Sequence, residues 1–449
     1  MVFRRLFERR DAPPADTSAA AADDAEVEVA PADDDELAAD APPEDLADVD
    51  WRARAARSLP TGASTGSKRP EALYGAADAD APTHFVRAMG CRLVDAAGGT
   101  YIDCTMALGA VALGYAEPRV TQAVVEAAAA GNVAALSSIR EVELAERLCA
   151  LLPCAEQVQF LKTGAEAVAA AVRLARTYTG REVVVASGYF GWLDWASDAR
   201  GVPAGTRGDL RRVPFDDVGA LERAVGDVGS RLAAVVIEPV VERLPSPEWI
   251  GRARALCDAA GAALVFDEIK TGFRLRPGGY QELAGVTPDL ATFGKAIANG
   301  YPLSVVAGRR DIMQAARDTW ISSTLACEST AFAAAWAVLD WHEQAEICDA
   351  LASTGRDLRE GVTAAIEASG VSGVTVDGID PMWLLRFDDP ARETRFLELA
   401  AREGVIFKRG AYNYASIAHD EETIREVEAA ASAAFVALRD EEQEEQGSE

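Results

Sequence analysis

At 449 residues, 49% of them hydrophobic, the chain can fill the cores of two or three domains. Its formal charge of −28, of which residues 11–50 carry −15, repels nucleic-acid phosphates and anionic lipid, so neither is expected as a partner. No run approaches the roughly 20 apolar residues of a membrane helix, and MVFRRLFERR is charged where a signal peptide is apolar, so a cytoplasmic protein is expected.

Three dispersed histidines (His84, His342, His419) and seven singly spaced cysteines form no metal-ligand pattern and no disulfide framework. Only Lys68, Lys162, Lys270, Lys295 and Lys408 are lysines among the 44 basic residues. That bias fits a high-GC coding preference as well as a halophile-like acidic surface, whose self-repulsion salt screens.

Residues 1–57, rich in Ala, Asp, Glu and Pro, bury too little apolar surface to offset ordering entropy and read as a disordered acidic tail. Residues 58–120 open an ordered lead-in, in which Arg92–Asp95 and Tyr101–Asp103 flank the turn Ala96–Gly99 as a hairpin. Over residues 121–330, Ala-rich helical stretches alternate with short β-branched runs, the pattern of an α/β layered sheet. Val183–Ala186, Ala233–Ile237, Ala263–Phe266 and Val305–Ala307 are apolar on both faces, as buried parallel strands must be. Residues 331–439, with a glycine-rich strand zone near Gly370–Phe387 and a last helix Glu421–Arg439, read as a smaller α/β domain, and 440–449 as an acidic tail.

Chemistry-bearing residues fall at the ends of these runs. Asp267 directly follows Ala263–Phe266, where ligands of parallel α/β sheets sit, and a carboxylate there can keep a ring nitrogen protonated or simply cap a helix. Lys295, flanked by Phe293 and Ile297 with no neighbouring acid, reads as a partly desolvated amine, whose lowered pKa would suit Schiff-base chemistry. Thr163-Gly164-Ala165 joins a strand to an Ala-rich helix, where free N–H groups can cradle a phosphate or Thr163 can serve as N-cap. Tyr189 and Phe190 offer aromatic faces at another strand end, and Glu238 is a further strand-end acid that either supports Asp267 or caps.

Each element is ambiguous alone, but their order resembles that of the class III, fold-type-I pyridoxal-phosphate (PLP) aminotransferases, from about Ser58 to about Arg439. Val168–Arg176 with Thr179-Gly180-Arg181, and Gly308–Met313, add to the likeness. The resemblance implies a large, mixed, mostly parallel sheet domain with a smaller α/β domain, and a homodimer with shared active sites, amino donor and carbonyl acceptor being small molecules. Lys295 would then bind PLP as a Schiff base and carry the proton, with Asp267 on the pyridine nitrogen and Ile269 and Tyr189 on the two ring faces. Thr163, Gly164 and Ala165 would hold the phosphate, and Thr324 would reach it from the neighbouring subunit.

Departures from the family pattern bear on substrate: Ala165 where Ser or Thr is common, Phe190 for His, Lys270 for Gln or Met, and Cys327-Glu328-Ser329 for Gly-Asn-Pro. Within the family, Ser64–Pro70 and Ile312-Met313 are similar to the glutamate-1-semialdehyde 2,1-aminomutase branch, so intramolecular amino transfer is the alternative to an aminotransferase. A PLP-binding scaffold without turnover is the alternative of another class. A dinucleotide oxidoreductase lacks its G-x-G-x-x-G turn. Arg274, Lys408 and Asn413, with Arg409, Tyr414 and His419, are candidates to meet substrate, Arg274 through its two-pronged donor geometry.

Overall fold

The computed structural model describes residues 44–448. Its centre is a seven-stranded sheet, ordered β4-β10-β9-β8-β7-β5-β6, from β4 (Gln157–Leu161), β5 (Val183–Ser187), β6 (Leu210–Arg212), β7 (Leu232–Ile237), β8 (Ala263–Asp267), β9 (Leu290–Phe293) and β10 (Ser304–Gly308). Strands β6, β5, β7, β8 and β9 run parallel, and β10 runs antiparallel to both β9 and β4. The expectation that Val305–Ala307 would be parallel is therefore corrected. A strand buried on both faces has the same continuous apolar composition in either direction, so composition cannot tell them apart.

Every residue of β5, β7, β8, β9 and β10 is buried, because helices cover both faces of the sheet. Helix Gly164–Thr179 packs its Ala-rich face on one side; it starts at a Thr163 capping box and stops where Gly180 turns left-handed (φ 65°). Helix Pro247–Ala260 covers the other side, capped by Ser246 and ended by Gly261 (φ 60°).

Two smaller sheets adjoin it. The first joins β1 (Phe85–Met89), β2 (Arg92–Asp95) and β3 (Thr100–Asp103) to β13 (Val405–Ile406), which lies parallel to β3 and so draws the two ends of the chain together. The second joins β11 (Val374–Ile379), β12 (Met382–Phe387) and β14 (Asn413–Tyr414). Helix Ser329–Gln344, expected mostly in the smaller domain, instead packs Phe332 and Val338 into one cluster with Val120, Leu144, Phe160 and Phe293 beside the large sheet.

The ends also differ from expectation. Residues 1–43 of the expected tail lie outside the described residues, but order begins well before Ser58, since Trp51–Ser58 is a helix. Asp50 caps it, and Arg52 donates to the carbonyls of Ala77, Ala79 and Ala81. At the other end the last helix runs Glu421–Ser448, so residues 440–448 continue it. Glu441 pairs with Arg395 at 2.6 Å and Glu442 with Arg392 at 2.6 Å. Composition alone reads such acids as a solvated tail; two arginines on a neighbouring helix give them partners.

Candidate active site

The parallel strands deliver their C-terminal ends to one cavity of about 430 Å³. Lys162, Thr163, Gly164 and Ala165 follow β4, Tyr189 and Phe190 follow β5, Glu238 follows β7, Asp267 ends β8, and Lys295 follows β9. Gly300–Leu303, which lead into antiparallel β10, complete the wall. The cavity thus sits where open α/β sheets bind ligands.

Asp267 is 5% exposed, and both its hydrogen bonds, from Ile269 N–H (3.1 Å) and Thr292 Oγ1 (3.3 Å), fall on Oδ1. Burial, then the charge of Glu238, push its carboxyl up to about 7, against the pull of the Ile269 N–H and the Lys295 ammonium. The next acid has a different task. Glu268 is wholly buried and accepts from Thr271 Oγ1, from Tyr280 N–H (2.8 Å) and from Gln281 N–H (2.9 Å), which ties down the loop after β8.

Lys295 is half-buried with a left-handed backbone (φ 50°), and its Nζ stands 5.8 Å over the Tyr414 ring. A non-glycine residue in that conformation is strained unless its surroundings impose it, and such strain concentrates at functional positions. Thr163 Oγ1 accepts from Glu166 N–H at 3.2 Å while Glu166 accepts from Thr163 N–H at 2.8 Å. The capping box consumes both polar groups that Thr163 could offer, so Gly164 and Ala165 present the N–H groups at the helix start.

Ile269 packs on this turn. A Cβ at Gly164 would lie 3.2 Å from its side chain, and one at Gly294 would lie 3.0 Å from its Cδ1. The Phe190 ring is 2% exposed and stacks on Trp195, so it supports the cavity floor from within the core. Tyr189 stands open at the rim, its N–H donating to Glu238 Oε2 at 2.9 Å.

The substrate candidates fare differently. Arg274 is fully buried, and its guanidinium donates to the carbonyls of Pro381 (3.1 Å), Ala415 (2.7 Å) and Gly109 (3.2 Å). It bolts the loop after β8 to the smaller sheets and does not line the cavity. Lys408 Nζ donates to the carbonyls of Ala72 and Arg409, and Asn413 Oδ1 accepts from Lys408 N–H, so both serve the small domain. His419 is likewise buried, against Ser416 N–H and the Asp103 carbonyl. Thr324 is exposed and outside this cavity. Lys408, Asn413 and His419 were suggested by their position near the chain end and Arg274 by its donor geometry, but backbone carbonyls arriving from distant segments leave no trace in sequence.

Sequence reasoning did not foresee that Lys270 would reach across to Glu238 (2.6 Å) or Lys162 to Glu328 (2.8 Å). Lysines are scarce in this chain, and three of its five line one cavity. Their scarcity was the signal the sequence offered.

The family model for class III aminotransferases matches residues 74–191 and 213–419. The chain belongs to that family. A 3-aminobutyryl-CoA aminotransferase from Cloacimonas acidaminovorans is 34% identical over 325 residues, spanning 70% of this chain and 78% of that protein. The 2'-deamino-2'-hydroxyneamine transaminase of Streptomyces kanamyceticus is 35% identical over 366 residues, spanning 81% of this chain and 92% of its own length. Among solved structures, the PLP internal aldimine form of the Sphingopyxis sp. MTA144 FumI protein superposes with TM-score 0.82 at 29% identity, covering 87% of this chain and 96% of that one.

This class III aminotransferase therefore transfers an amino group with pyridoxal 5'-phosphate as cofactor. The residues present fit that group: helix-start N–H groups for a phosphate, a buried carboxyl with Oδ2 unengaged, an apolar Ile269 wedge, and a lysine opposite. No membrane-long apolar helix occurs among the described residues.

Proposed function

We propose that Lys295 is the amine that binds PLP and moves the proton, that Asp267 holds the ring nitrogen, and that the enzyme aminates a small carbonyl compound lacking a carboxylate next to the reacting carbon. Bound PLP supplies an electron sink for the bond broken at the substrate carbon. Asp267, in its desolvated niche, favours a positively charged partner, since ionising there alone is unfavourable. Gly164 and Ala165 orient the phosphate by backbone N–H, while Ile269 and Tyr189 bracket the ring. Lys295, free once substrate has taken its place, would accept the proton from the substrate carbon and hand it on to the carbon on the far side of the shared nitrogen.

The observation that carries the substrate reading is the cavity's charge inventory. Among the described lining residues the cations are Lys162, Lys270 and Lys295; the first two are ion-paired, and no arginine is present. A bidentate carboxylate clamp is thus missing from this chain's share of the wall. The relatives named for 3-aminobutyryl-CoA and a neamine derivative agree with an amine borne away from a free carboxylate.

The homodimer belongs to the same proposal. Leu136, Ile139, Trp192, Trp320 and Leu325 stand exposed, and Thr324 lies beside Leu325, as a face covered by a second copy would have it. A cytoplasmic setting suits the seven free thiols. The likeness of Ser64–Pro70 to the aminomutase branch supports intramolecular transfer as the alternative, while the two relatives named above are an aminotransferase and a transaminase.

The test mixes loaded enzyme with single amines and follows the cofactor's absorbance, with Lys295→Ala as control. Conversion by an amino compound without an α-carboxylate, lost in Lys295→Ala, is expected. Turnover of glutamate-1-semialdehyde with no second substrate, or full activity of Lys295→Ala, would overturn the reading.

A further inference from the structure

Lys270 and Glu238 form an ion pair inside the cofactor cavity that the transfer reaction does not by itself require. Lys270 Nζ lies 2.6 Å from Glu238 Oε1, with the two side chains only 9% and 13% exposed. Its ammonium also stands 4.3 Å over the Tyr412 ring, a favourable cation–π position. Glu238 is held in place from three sides. Its Oε2 accepts from Tyr189 N–H at 2.9 Å, its Cβ is so close to Gly188 (φ 132°) that a Cβ there would sit 2.3 Å away, and Lys270 takes the other oxygen.

A second carboxylate so near Asp267 is unfavourable for the task of Asp267, because like charges in a desolvated site oppose one another's ionisation. Glu238 is indeed the second largest influence raising the Asp267 carboxyl, after burial. A cation bonded to Glu238 opposes that field at Asp267 and at Lys295. The ionisable groups facing the pair are Asp267 from β8, Tyr414 of β14 and Tyr412 just before it, and Lys295 across the cavity; Lys162 on the far wall is already neutralised by Glu328. Glu242, whose N–H donates to Tyr412 Oη at 2.7 Å, is engaged in turn by Arg386.

We propose that Lys270 and Glu238 act together as a charge-setting pair: Lys270 is a positioning residue that neutralises Glu238 and so fixes the charge balance around the lysine-bound cofactor. This rests on Lys295 and Asp267 being the cofactor residues.

The experiment is a pH titration of the absorbance of the purified, cofactor-loaded protein, with no substrate added. Its midpoint reports the proton shared at the Lys295 nitrogen. Lys270→Met leaves Glu238 uncompensated, and extra negative charge favours the protonated nitrogen, so the midpoint rises by about 1 pH unit. Glu238→Gln removes the negative partner and lowers it by a similar amount. The double variant returns close to wild type, and Lys270→Arg, which keeps the charge, stays there.

A packing role alone predicts that both single variants move the midpoint in the same direction or not at all, with the double variant worse than either; that pattern overturns the proposal. Should Lys270→Met fold poorly, the opposed shifts of Glu238→Gln and Lys270→Gln decide the question instead. Absence of any lysine-bound absorbance in wild type, or its persistence in Lys295→Ala, would overturn the functional reading itself, a distinct outcome.

Discussion

Replacing Arg274 by methionine separates two accounts of that residue. Its two-pronged donor geometry made it a candidate carboxylate contact, whereas its guanidinium is committed to the carbonyls of Pro381, Ala415 and Gly109. Methionine keeps much of the volume but leaves the carbonyls of Ala415 and Gly109 without this donor, while that of Pro381 keeps the Ala415 N–H at 3.2 Å. At about 1–2 kcal/mol for each orphaned group, the loss is about 2–4 kcal/mol. Removing the buried cation offsets part of it, since burial already draws the guanidinium down to about 10. Unfolding entropy of about 2.1 cal/mol/K per residue over roughly 400 ordered residues converts that range to a fall in Tm of roughly 2–5 °C. The assay is thermal unfolding of the cofactor-free protein followed by far-UV circular dichroism, with KM for several amino donors measured on loaded enzyme. An unchanged Tm with a KM raised only for carboxylate-bearing donors would refute the structural role.

Two other outcomes follow from the site. Asp267 and Glu268 are both pushed up to about 7 by burial, so the folded apoprotein holds protons that the unfolded chain releases between about pH 4 and 7. Its stability therefore falls as pH rises through that window, by at most about 1.4 kcal/mol per unit per group. Asp267→Asn should flatten roughly half of that slope, and an unchanged slope would contradict the assigned burial. Gly191→Ala adds a Cβ 2.4 Å from that of Ala165 at a left-handed position (φ 84°). Strain of about 1–3 kcal/mol at the phosphate turn should weaken cofactor retention in equilibrium dialysis about tenfold, whereas wild-type retention would show that the turn does not hold it.

Much of the sheet was legible because a fully buried strand leaves a continuous apolar run; Asp267 closes one, and Lys295 follows another after Gly294. Strand direction was not legible, as β10 demonstrates, since both of its neighbours bury it equally. Thr163 illustrates a different limit: N-cap and phosphate ligand share one sequence signature, and only the reciprocal bond with Glu166 tells them apart. Arg274 and Lys408 were misread because their partners are main-chain oxygens from segments more than a hundred residues away or across a turn, and any sequence can supply a carbonyl. The acidic C-terminal stretch became helix because Arg392 and Arg395 meet it from another element.

Because β5, β7, β8 and β9 each contribute at or just past their C-terminal ends, the sheet's register is a ruler for the chemistry. Deleting a single residue from β8 would slide Glu268 into the place of Asp267 and, with side chains alternating between faces, turn the needed carboxyl toward packed helix. Helix ends on the outer layers carry no such constraint, so natural length variation in descendants of this enzyme should collect there and spare the five parallel strands.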